Sequence, residues 1–307
     1  MQPEIICFGE PLMEFNQAED GDRYLAGHGG DTSNCAIAAA RQGARVGYLT
    51  ALGTDDFGQS FLDLWAREGV DHSQVLRKAE ARTGIYFVSH GQAGHSFSYR
   101  RAGSAASRIT PEEVPEDYIA GAKVLHVSGI SQAISDSACD AVFHAMGIAR
   151  ENGVKVSYDP NLRLQLWPLD RARAVIHGAM ASCHIALPGL EDARILTGLE
   201  APEAIADFYL GLGSEIVVLT LGPEGAFVAT GGERRLIAGR KVAAVDATAA
   251  GDTFDGAFLA EYLRGADPFR AAAYANAAAA LSTQGYGAVA PMPARLQVMA
   301  FLEQAPP

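Results

Sequence analysis

The segment from Val245 to Phe258 combines small residues, an aspartate and the start of a helical pattern. Residues 247–251 read Ala-Thr-Ala-Ala-Gly, and the helix predicted after them continues to about Leu263. Backbone N–H groups at the positive end of a helix dipole can hold an anion such as a phosphate. Asp252 in the first turn could accept a hydroxyl proton beside a transferring phosphoryl group. It could equally do no more than favour the dipole, and the segment alone leaves both interpretations open.

Two further segments place glycines next to polar side chains. Residues 27–34 read Gly-His-Gly-Gly-Asp-Thr-Ser-Asn before a helical pattern. They could bind sugar hydroxyls or form a capped turn. Residues 219–225 read Leu-Thr-Leu-Gly-Pro-Glu-Gly after a strand pattern. Glycines there would let a nucleotide approach the backbone, although a simple hairpin turn explains them as well.

The hydrophobic pattern predicts an α/β scaffold for these segments. Short apolar runs predict strands at residues 4–8, 45–51, 124–128, 154–159, 184–187, 216–221 and 226–229. Longer stretches predict helices at residues 32–42, 58–68, 135–152, 170–181, 190–197, 202–210 and 271–281. Such alternation indicates a parallel sheet covered on both faces, with ligands beyond the carboxyl ends of its strands. Residues 14–28 and 84–101 break the rhythm and predict small antiparallel strands outside the main sheet.

Composition excludes several classes of protein. With 24 Lys and Arg against 36 Asp and Glu, the net charge of −12 argues against a nucleic-acid partner. No apolar run reaches the roughly 18 residues that span a bilayer, and residues 1–20 lack a secretory leader pattern. The four cysteines form no C-x-x-C pair, so we expect neither a disulfide frame nor a zinc site. We therefore expect a cytoplasmic α/β protein. It has neither the P-loop motif nor the dinucleotide fingerprint.

Taken together, the three segments resemble the ribokinase (PfkB) family of carbohydrate kinases, over nearly the whole chain. Gly29-Gly30 with Asn34, followed by residues 46–58, is similar to the family's N-terminal signature, and residues 245–258 are similar to its C-terminal signature. The resemblance implies a doubly wound, mostly parallel sheet flanked by helices, with a small β lid. It also implies ATP-dependent phosphorylation of a sugar hydroxyl in the presence of Mg²⁺.

The resemblance divides the chain into a core and a lid. The core, which would bind nucleotide and substrate, comprises residues 1–13, 29–83 and 102–307. The lid is inserted in it as residues 14–28 and 84–101.

The same resemblance implies roles for individual residues. Asp252 matches the catalytic base, and the backbone anion hole matches Ala249, Ala250 and Gly251. Sugar contacts near the N-terminal signature match Gly30, Asp31 and Asn34. The nucleotide site matches Thr220, Gly222 and Gly225, with Asn276 near the adenine. Because a helix dipole favours the charged form of a carboxyl group, Asp252 is expected to be a weak base.

Three positions depart from the family pattern. The loop usually begins with glycine where this chain has Ala249, a position that often needs permissive backbone angles. The family's N-x-x-E motif, which organises Mg²⁺ through water, is changed at both marked positions, to Gly189 and Asp192. Asp192 keeps the charge, so metal dependence is expected to survive. Asp246 and Thr248 lie where some relatives bind a monovalent cation.

Within the family, several stretches are most similar to 2-keto-3-deoxygluconate kinases. The residues that match substrate contacts of that subgroup are Tyr86, Tyr99, Arg101, Ile130 and Arg163. Two guanidinium groups can hold the carboxylate of a sugar acid in bidentate fashion. The alternative is that the arginines form surface or structural ion pairs and that the tyrosines pack the lid.

Other functions stay open at this stage. Tyr286 stands where an acidic substrate contact is expected, which leaves a kinase of a neutral ketose, fructose or tagatose, as an alternative. The departures at Ala249, Gly189 and Asp192 leave open a non-catalytic sugar-binding regulator. A homo-oligomer is expected, since residues 84–101 suit an exposed sheet edge.

Overall fold

Three β-sheets, of eight, four and two strands, and a set of packed helices make up the described chain, in a computed structural model that describes residues 2–18, 21–91 and 94–304. The strands, in chain order, are β1 Ile5–Phe8, β2 Leu12–Gln17, β3 Tyr24–Gly29, β4 Val46–Leu49, β5 Ala51–Gly53, β6 Leu76–Lys78, β7 Gly84–Gly91, β8 Gly94–Arg100, β9 Val124–Ser128, β10 Lys155–Asp159, β11 Ile185–Ala186, β12 Ile216–Thr220, β13 Gly225–Thr230 and β14 Arg234–Ala238. The helices are α1 Asp31–Arg41, α2 Asp56–Glu68, α3 Glu116–Ala120, α4 Gly129–Ala133, α5 Asp136–Glu151, α6 Leu169–Met180, α7 Leu190–Thr197, α8 Pro202–Leu212, α9 Ala250–Leu263, α10 Pro268–Ser282 and α11 Arg295–Glu303.

The main sheet has eight strands in the order β14-β13-β12-β11-β10-β9-β1-β4. All pairs from β12 to β4 are parallel, whereas β13 and β14 join at one edge as antiparallel strands. Side chains alternate between the two faces. Ile5 and Cys7 of β1 therefore belong to one hydrophobic cluster, and Ile6 and Phe8 to the other. Burial on both faces explains why the central strands read as continuous apolar runs, and the α/β prediction is confirmed.

Helix boundaries follow local capping chemistry. Asp55 precedes α2 and accepts a hydrogen bond from the Gly58 amide at 2.8 Å. Asp267 precedes the alanine-rich α10 and accepts from the amides of Phe269 and Arg270, each at 3.0 Å. A side-chain acceptor at the N-cap satisfies amides that lack helical partners. The alanine-rich stretch is thus a buried helix, as predicted.

The second sheet, called here the small sheet, has four strands in the order β3-β2-β7-β8. Its two hairpins are antiparallel, as predicted, but the central pair β2–β7 is parallel. Each hairpin is a separate excursion from the main body, and the two leading strands leave it in the same direction. Antiparallel pairing throughout was therefore the wrong expectation.

Other differences from the predicted elements are local. The strand predicted at 45–51 is divided at Thr50 into β4 and β5, and β5 pairs with β6. The edge strand β14 was not predicted, because the exposed Arg-Arg-Leu-Ile-Ala sequence lacks a buried apolar pattern. Within the described ranges, no helix has the length and apolar character that crossing a membrane requires.

Candidate active site

Several of the residues singled out from the sequence follow strands of the main sheet. Ile130 follows β9, Arg163 follows β10, and Asp192 lies in α7, just beyond β11. Gly129 permits a close approach between two of these connections, because a Cβ atom there would lie 2.0 Å from the Pro160 carbonyl oxygen. The carboxyl ends of parallel strands meet at one edge of a sheet, which is where ligands bind in this class of fold.

The start of α9 presents unoccupied backbone donors. The Ala250 amide donates to the Ala247 carbonyl at 3.1 Å, and the Thr253 amide donates to the Ala249 carbonyl at 2.8 Å. Between them, the amides of Gly251 and Asp252 have no backbone acceptor in the described chain. A Cβ atom at Gly251 would have no described heavy atom within 4 Å. The bend is therefore open, and its amides can accept an anion at the positive end of the helix.

Ala249 takes the left-handed backbone conformation that the sequence comparison with the family suggested. Its φ is +58° and its ψ is 17°, a region that costs a side-chain-bearing residue on the order of 1 kcal/mol. The chain therefore keeps the geometry of a glycine position while carrying an alanine. Alanine in place of glycine at this position adds backbone strain and leaves the direction of the backbone unchanged.

Asp252 is tied to α1 through Asn34. The Asn34 Nδ2 donates to Asp252 Oδ2 at 2.8 Å. Asn34 is 5% exposed, and its Oδ1 has no hydrogen-bond partner among the described residues. One oxygen of Asp31 is likewise buried without a partner. Buried polar atoms are normally satisfied, so these two acceptors indicate room for a ligand that donates hydrogen bonds, such as a hydroxyl group.

Burial, followed by the negative charge of Asp31, raises the pKa of Asp252 to about 7. The hydrogen bond from Asn34 and the charge of Arg163 oppose this shift but do not cancel it. The expectation of a weak base was therefore wrong, because desolvation outweighs the helix dipole at this site. A carboxylate with a pKa near neutrality is well matched to general base catalysis.

Other carboxyl groups surround Asp252. Burial, followed by the charge of Asp252, raises the pKa of Asp159 well above its ordinary value. Burial, followed by the charge of Asp159, does the same for Asp255. Burial also raises the pKa of Asp192. A cation bound with phosphate groups would relieve this repulsion. The described residues contain no group of three or more side chains that could hold a metal by themselves. Mg²⁺ commonly binds through phosphates, waters and one or two carboxylates.

The loop after β10 is held from two sides. Asn161 has a φ of +33°, and its backbone N donates to Asp159 Oδ1 at 3.0 Å while its side chain donates to Asp31 Oδ2 at 3.3 Å. The Leu162 amide donates to Asp192 Oδ2 at 2.8 Å. Asp192 thus supports this loop directly, whatever it does toward a metal.

Arg163 ends this held loop and is open to the solvent. Its side chain is 49% exposed, and its Nη1 lies 4.0 Å from Asp192 Oδ2. The Nη1 also donates to the Leu162 carbonyl at 2.8 Å. At this distance the carboxylate balances the charge weakly, so most of the guanidinium remains available for an anion.

Arg101 and two tyrosines form a layered group on the small sheet. The rings of Tyr86 and Tyr99 stack with centroids 5.7 Å apart, and the Arg101 guanidinium lies 5.5 Å from the centre of the Tyr99 ring. Tyr86 donates a short hydrogen bond to Glu14. Arg101 forms a buried ion pair with Glu10. The ion-pair interpretation therefore fits Arg101, whose partner is the buried Glu10, and it fits Arg163 only through the looser pair with Asp192.

The residues expected at the nucleotide are divided between exposed and structural positions. Gly222 has a φ of +60° with open space around it, next to the partly exposed Thr220. Gly225 is enclosed, because a Cβ atom there would lie 2.1 Å from the Ile237 carbonyl oxygen. Asn276 donates to the carbonyls of Ile237 and Ala238 at 3.0 and 3.3 Å. The segment is also a β12–β13 hairpin, so the structural interpretation of its glycines holds alongside the functional one.

The region considered for a monovalent cation is internally bonded. Asp246 Oδ1 accepts from the backbone N and the hydroxyl of Thr248 at 2.9 and 2.6 Å, and Oδ2 accepts from the Gly287 amide at 2.9 Å. Tyr286, beside that glycine, is 79% exposed. The side chain of Asp246 therefore shapes the loop before α9.

Several residues that the structure places at this site were not singled out from the sequence. They are Glu10, Glu14, Asp159, Asn161 and Asp255. A usable signal existed for Glu10 and Asn161, because each lies two residues beyond the carboxyl end of a buried strand, where polar side chains often reach a ligand. Asp255 carried none, since one helical turn of spacing from Asp252 is ordinary in a buried helix.

Comparison with known proteins agrees with this geometry. Residues 2–295 match the model of the pfkB family carbohydrate kinases. The chain is 35% identical to the 2-dehydro-3-deoxygluconokinase of Bacillus subtilis (strain 168), covering 98% of this chain and 96% of the relative. It is 38% identical to the protein of the same name from Thermoproteus tenax, covering 90% and 87%.

Solved structures are similar over nearly the whole chain. A fructokinase from Vibrio cholerae O395, with fructose, ADP and a calcium ion bound, has a TM-score of 0.89 and 28% identity, covering 97% of this chain and 98% of that one. An E. coli protein described as a ribokinase II, in complex with ATP and Mg²⁺, has a TM-score of 0.90 and 26% identity, covering 98% and 99%.

Proposed function

Because the chain belongs to the PfkB family of carbohydrate kinases, we propose that it transfers the γ-phosphoryl group of ATP to a hydroxyl group of 2-keto-3-deoxygluconate. The family makes it an ATP-dependent phosphotransferase, and the sugar acid and the residue roles are what we add. One observation carries the proposal: the Asp252 carboxylate lies at the open start of α9, next to two free amides and bonded to Asn34.

In the proposed reaction, the sugar hydroxyl oxygen forms a bond to the γ-phosphorus as the bond to the β,γ-bridging oxygen breaks and ADP leaves. The hydroxyl proton passes to Asp252. The free amides of Gly251 and Asp252, at the end of the loop of Ala249, Ala250 and Gly251, hold the negative charge of the transferring group. The Ala250 amide, which the resemblance to the family also implied, is bonded to the Ala247 carbonyl instead. Positioning and charge stabilisation account for most of the catalysis of phosphoryl transfer, and both follow from a rigid helix start.

The nucleotide is proposed to lie along the β12–β13 hairpin, at Thr220 and Gly222. Mg²⁺ would be carried by the phosphates, with Asp192 acting through water. Neighbouring structures hold ATP with Mg²⁺ or ADP with calcium, which supports a nucleotide and a divalent cation here. A monovalent cation near Asp246 stays a prediction.

The choice of a sugar acid is supported by Arg163. This guanidinium is half exposed and only weakly balanced by Asp192. A carboxylate of the substrate would satisfy it, whereas a neutral ketose would leave the charge without a partner. Two relatives named for the same sugar acid, at 35% and 38% identity, support the same choice.

Sugar preference is the direct test. The purified protein is given Mg·ATP and a panel of 2-keto-3-deoxygluconate, gluconate, fructose and tagatose, and ADP release is followed. We expect the highest kcat/KM with 2-keto-3-deoxygluconate. A higher kcat/KM with fructose or tagatose would reject the sugar-acid proposal, and no ATP consumption with any sugar would favour a non-catalytic regulator.

An arginine variant separates charge recognition from general damage. Arg163→Ala is expected to lower kcat/KM for the sugar acid about 100-fold while changing that for fructose only a few-fold, because it removes a charge-assisted contact. Arg194→Ala is the control, since Arg194 pairs with Glu191 and Glu200 on the surface of α7. An unchanged preference in Arg163→Ala would remove the carboxylate argument.

A neutral ketose remains the second candidate, and one observation favours it. Glu10 neutralises Arg101 within the fold, so the site offers one available positive charge rather than two. The Vibrio cholerae fructokinase, with fructose bound, has the same fold. The substrate panel decides between the two.

The absence of a nucleic-acid partner, the location and the oligomeric state stay predictions. The charge of −12 argues against nucleic acid, and action in the cytoplasm as a homo-oligomer follows from the resemblance to the family.

A further inference from the structure

Glu10 occupies the place where the small sheet joins the main body. The chain crosses between the two at four places: between β1 and β2, after β3, before β7 and after β8. Glu10 lies in the first crossing and is 1% exposed. A charged side chain this deeply buried is rare unless it is paired.

Glu10 contacts each of the other three crossings. After β3, a Cβ atom at Gly30 would lie 2.5 Å from the Glu10 carbonyl oxygen, and before β7 a Cβ atom at Gly84 would lie 3.0 Å from Glu10 Oε1. After β8, Arg101 Nε donates to Glu10 Oε2 at 2.7 Å, and Ser104 Oγ donates to Glu10 Oε1 at 2.6 Å. Glu10 lies so close to Gly30 and Gly84 that a side chain at either position would meet it. The four crossings therefore converge on one residue.

The same contacts fix the direction of Arg101. Its Nε and Nη2 both face Glu10 Oε2, and its guanidinium lies against Tyr99, which stacks on Tyr86. A guanidinium bound along one edge has its remaining N–H groups in fixed directions. Arg101 is 9% exposed, so it has little freedom to find a ligand by itself.

We propose that Glu10 is a positioning residue for sugar recognition: it holds Arg101 through one edge of the guanidinium, so that the remaining N–H groups point in a fixed direction. The proposal rests on the proposed function, because it takes Arg101 as a sugar contact. If Glu10 acts in this way, its loss should change the affinity for the sugar and leave the affinity for the nucleotide unchanged. The reason is that Arg101 is proposed to contact the sugar and not the nucleotide.

A double-mutant cycle tests this. Glu10→Gln keeps the shape and one acceptor but loses the charge, and we expect it to raise the KM for the sugar about tenfold, with the KM for ATP unchanged. In an Arg101→Ala background, Glu10→Gln is expected to have no further effect on the sugar KM, because the residue through which it acts is gone. Additive effects in the cycle, or an unchanged sugar KM in Glu10→Gln, would overturn the proposal.

Two further variants keep the test decisive. Glu68→Gln is the matched control, since Glu68 forms a comparable two-contact pair with Arg41 at 2.8 Å away from the site. It is expected to leave both KM values unchanged. If Glu10→Gln does not fold, Ser104→Ala removes one hydrogen bond to Glu10 and spares the ion pair. A sugar KM raised about threefold is expected from this milder change, and no change would overturn the proposal.

The outcome for Arg101→Ala separates this inference from the proposed function. If that variant alone leaves the sugar KM unchanged, Arg101 is not a sugar contact, and both the proposed site and the role of Glu10 are rejected. If it raises the sugar KM while Glu10→Gln does not, the sugar site stands and the role of Glu10 alone is rejected.

Discussion

At the scale of single residues, the site concentrates carboxyl groups that raise one another's pKa. Asp252 is partly buried with Asp31 nearby, and its pKa is raised to about 7. Clustered carboxylates are unfavourable for folding at neutral pH, because each charge is desolvated and repelled by the others. Perturbed groups of this kind are frequent at functional sites, and the cost they impose can be measured.

Asp252→Asn is expected to abolish turnover and to stabilise the protein. A carboxyl group with a folded pKa near 7 and an ordinary value of 3.8 binds its proton more tightly in the folded chain, so this contribution to stability is lost as pH rises from about 4 to about 7. Asparagine has no proton to lose and can still accept from Asn34. We expect the free energy of unfolding at pH 8 to rise by about 1–2 kcal/mol.

Urea unfolding of both proteins at pH 5 and pH 8 is the measurement. The gain is expected to be small at pH 5 and larger at pH 8, which makes the lower pH an internal control. Turnover near the wild-type rate would remove Asp252 from the mechanism. A gain in the free energy of unfolding that is smaller at pH 8 than at pH 5 would contradict the raised pKa of Asp252.

The pH profile of activity reports the same group. With Asp252 as the base, kcat/KM for the sugar is expected to rise with pH through about 7, because only the unprotonated carboxylate can accept a proton. Asp31→Asn removes a negative charge that raises this pKa, so the rising limb is expected to move to lower pH. Asp207→Asn, which alters a surface pair with Arg234, is the control. A limb that stays in place in Asp31→Asn would argue against the coupling.

At the scale of elements, the start of α9 shows how a loop is aimed. The left-handed Ala249 turns the chain so that the next amides point outward, and Thr253 bonds back to the Ala249 carbonyl through its backbone N and its hydroxyl, both at 2.8 Å. A strained residue persists only where the surrounding structure fixes it. The geometry of the proposed anion site therefore depends on the packing of α9 against α1 and α10.

Substitutions at Ala249 test this strain. Ala249→Gly is expected to keep turnover and to change the free energy of unfolding by a gain of up to about 1 kcal/mol, because relief of the left-handed strain exceeds the added freedom of the unfolded chain. Ala249→Val is expected to destabilise by about 1–2 kcal/mol and to lower kcat, since β-branched residues tolerate positive φ poorly. Urea unfolding and kcat measure both. A valine variant as stable and active as the wild type would contradict the assignment.

At the scale of the whole molecule, one face of the small sheet carries both the tyrosines predicted to contact the sugar and an exposed apolar patch. Register places Glu14, Tyr86 and Tyr99 on the same face as Leu25 and Phe97. The tyrosines are partly buried, whereas Leu25 is 66% and Phe97 is 51% exposed. An exposed apolar patch next to a binding site is often covered by another chain. We propose that a second copy covers it, which agrees with the homo-oligomer expected from the sequence.

The oligomer has a direct test. Leu25→Asp combined with Phe97→Ser is expected to convert the oligomer to a monomer and to raise the sugar KM, because the same sheet carries the two tyrosines predicted to contact the sugar. Light scattering at micromolar concentration gives the mass, with Leu296→Asp on α11 (83% exposed) as the control. A wild-type protein that is already monomeric would reject the proposal.

The sequence by itself determined the scaffold and predicted which segments would carry the proposed chemistry. Continuous apolar runs specify buried parallel strands, capping residues such as Asp267 mark helix starts, and small residues before Asp252 predict an open helix start. These signals are local in the chain and need no partner. For this reason the α/β fold and the helix start at α9 could be anticipated from local signals, whereas the question of the backbone at Ala249 came only from the resemblance to the family.

Tertiary structure alone decided the energetics and the pairings. The pKa of Asp252 depends on burial and on Asp31, which is distant in the sequence, and the sign of its shift could not be read from a helix dipole. The partner of Arg101 is Glu10, 91 positions away, and the parallel pair β2–β7 joins two excursions of the chain. Interactions of this kind arise from packing between remote segments, and a pattern read along one segment carries no record of them.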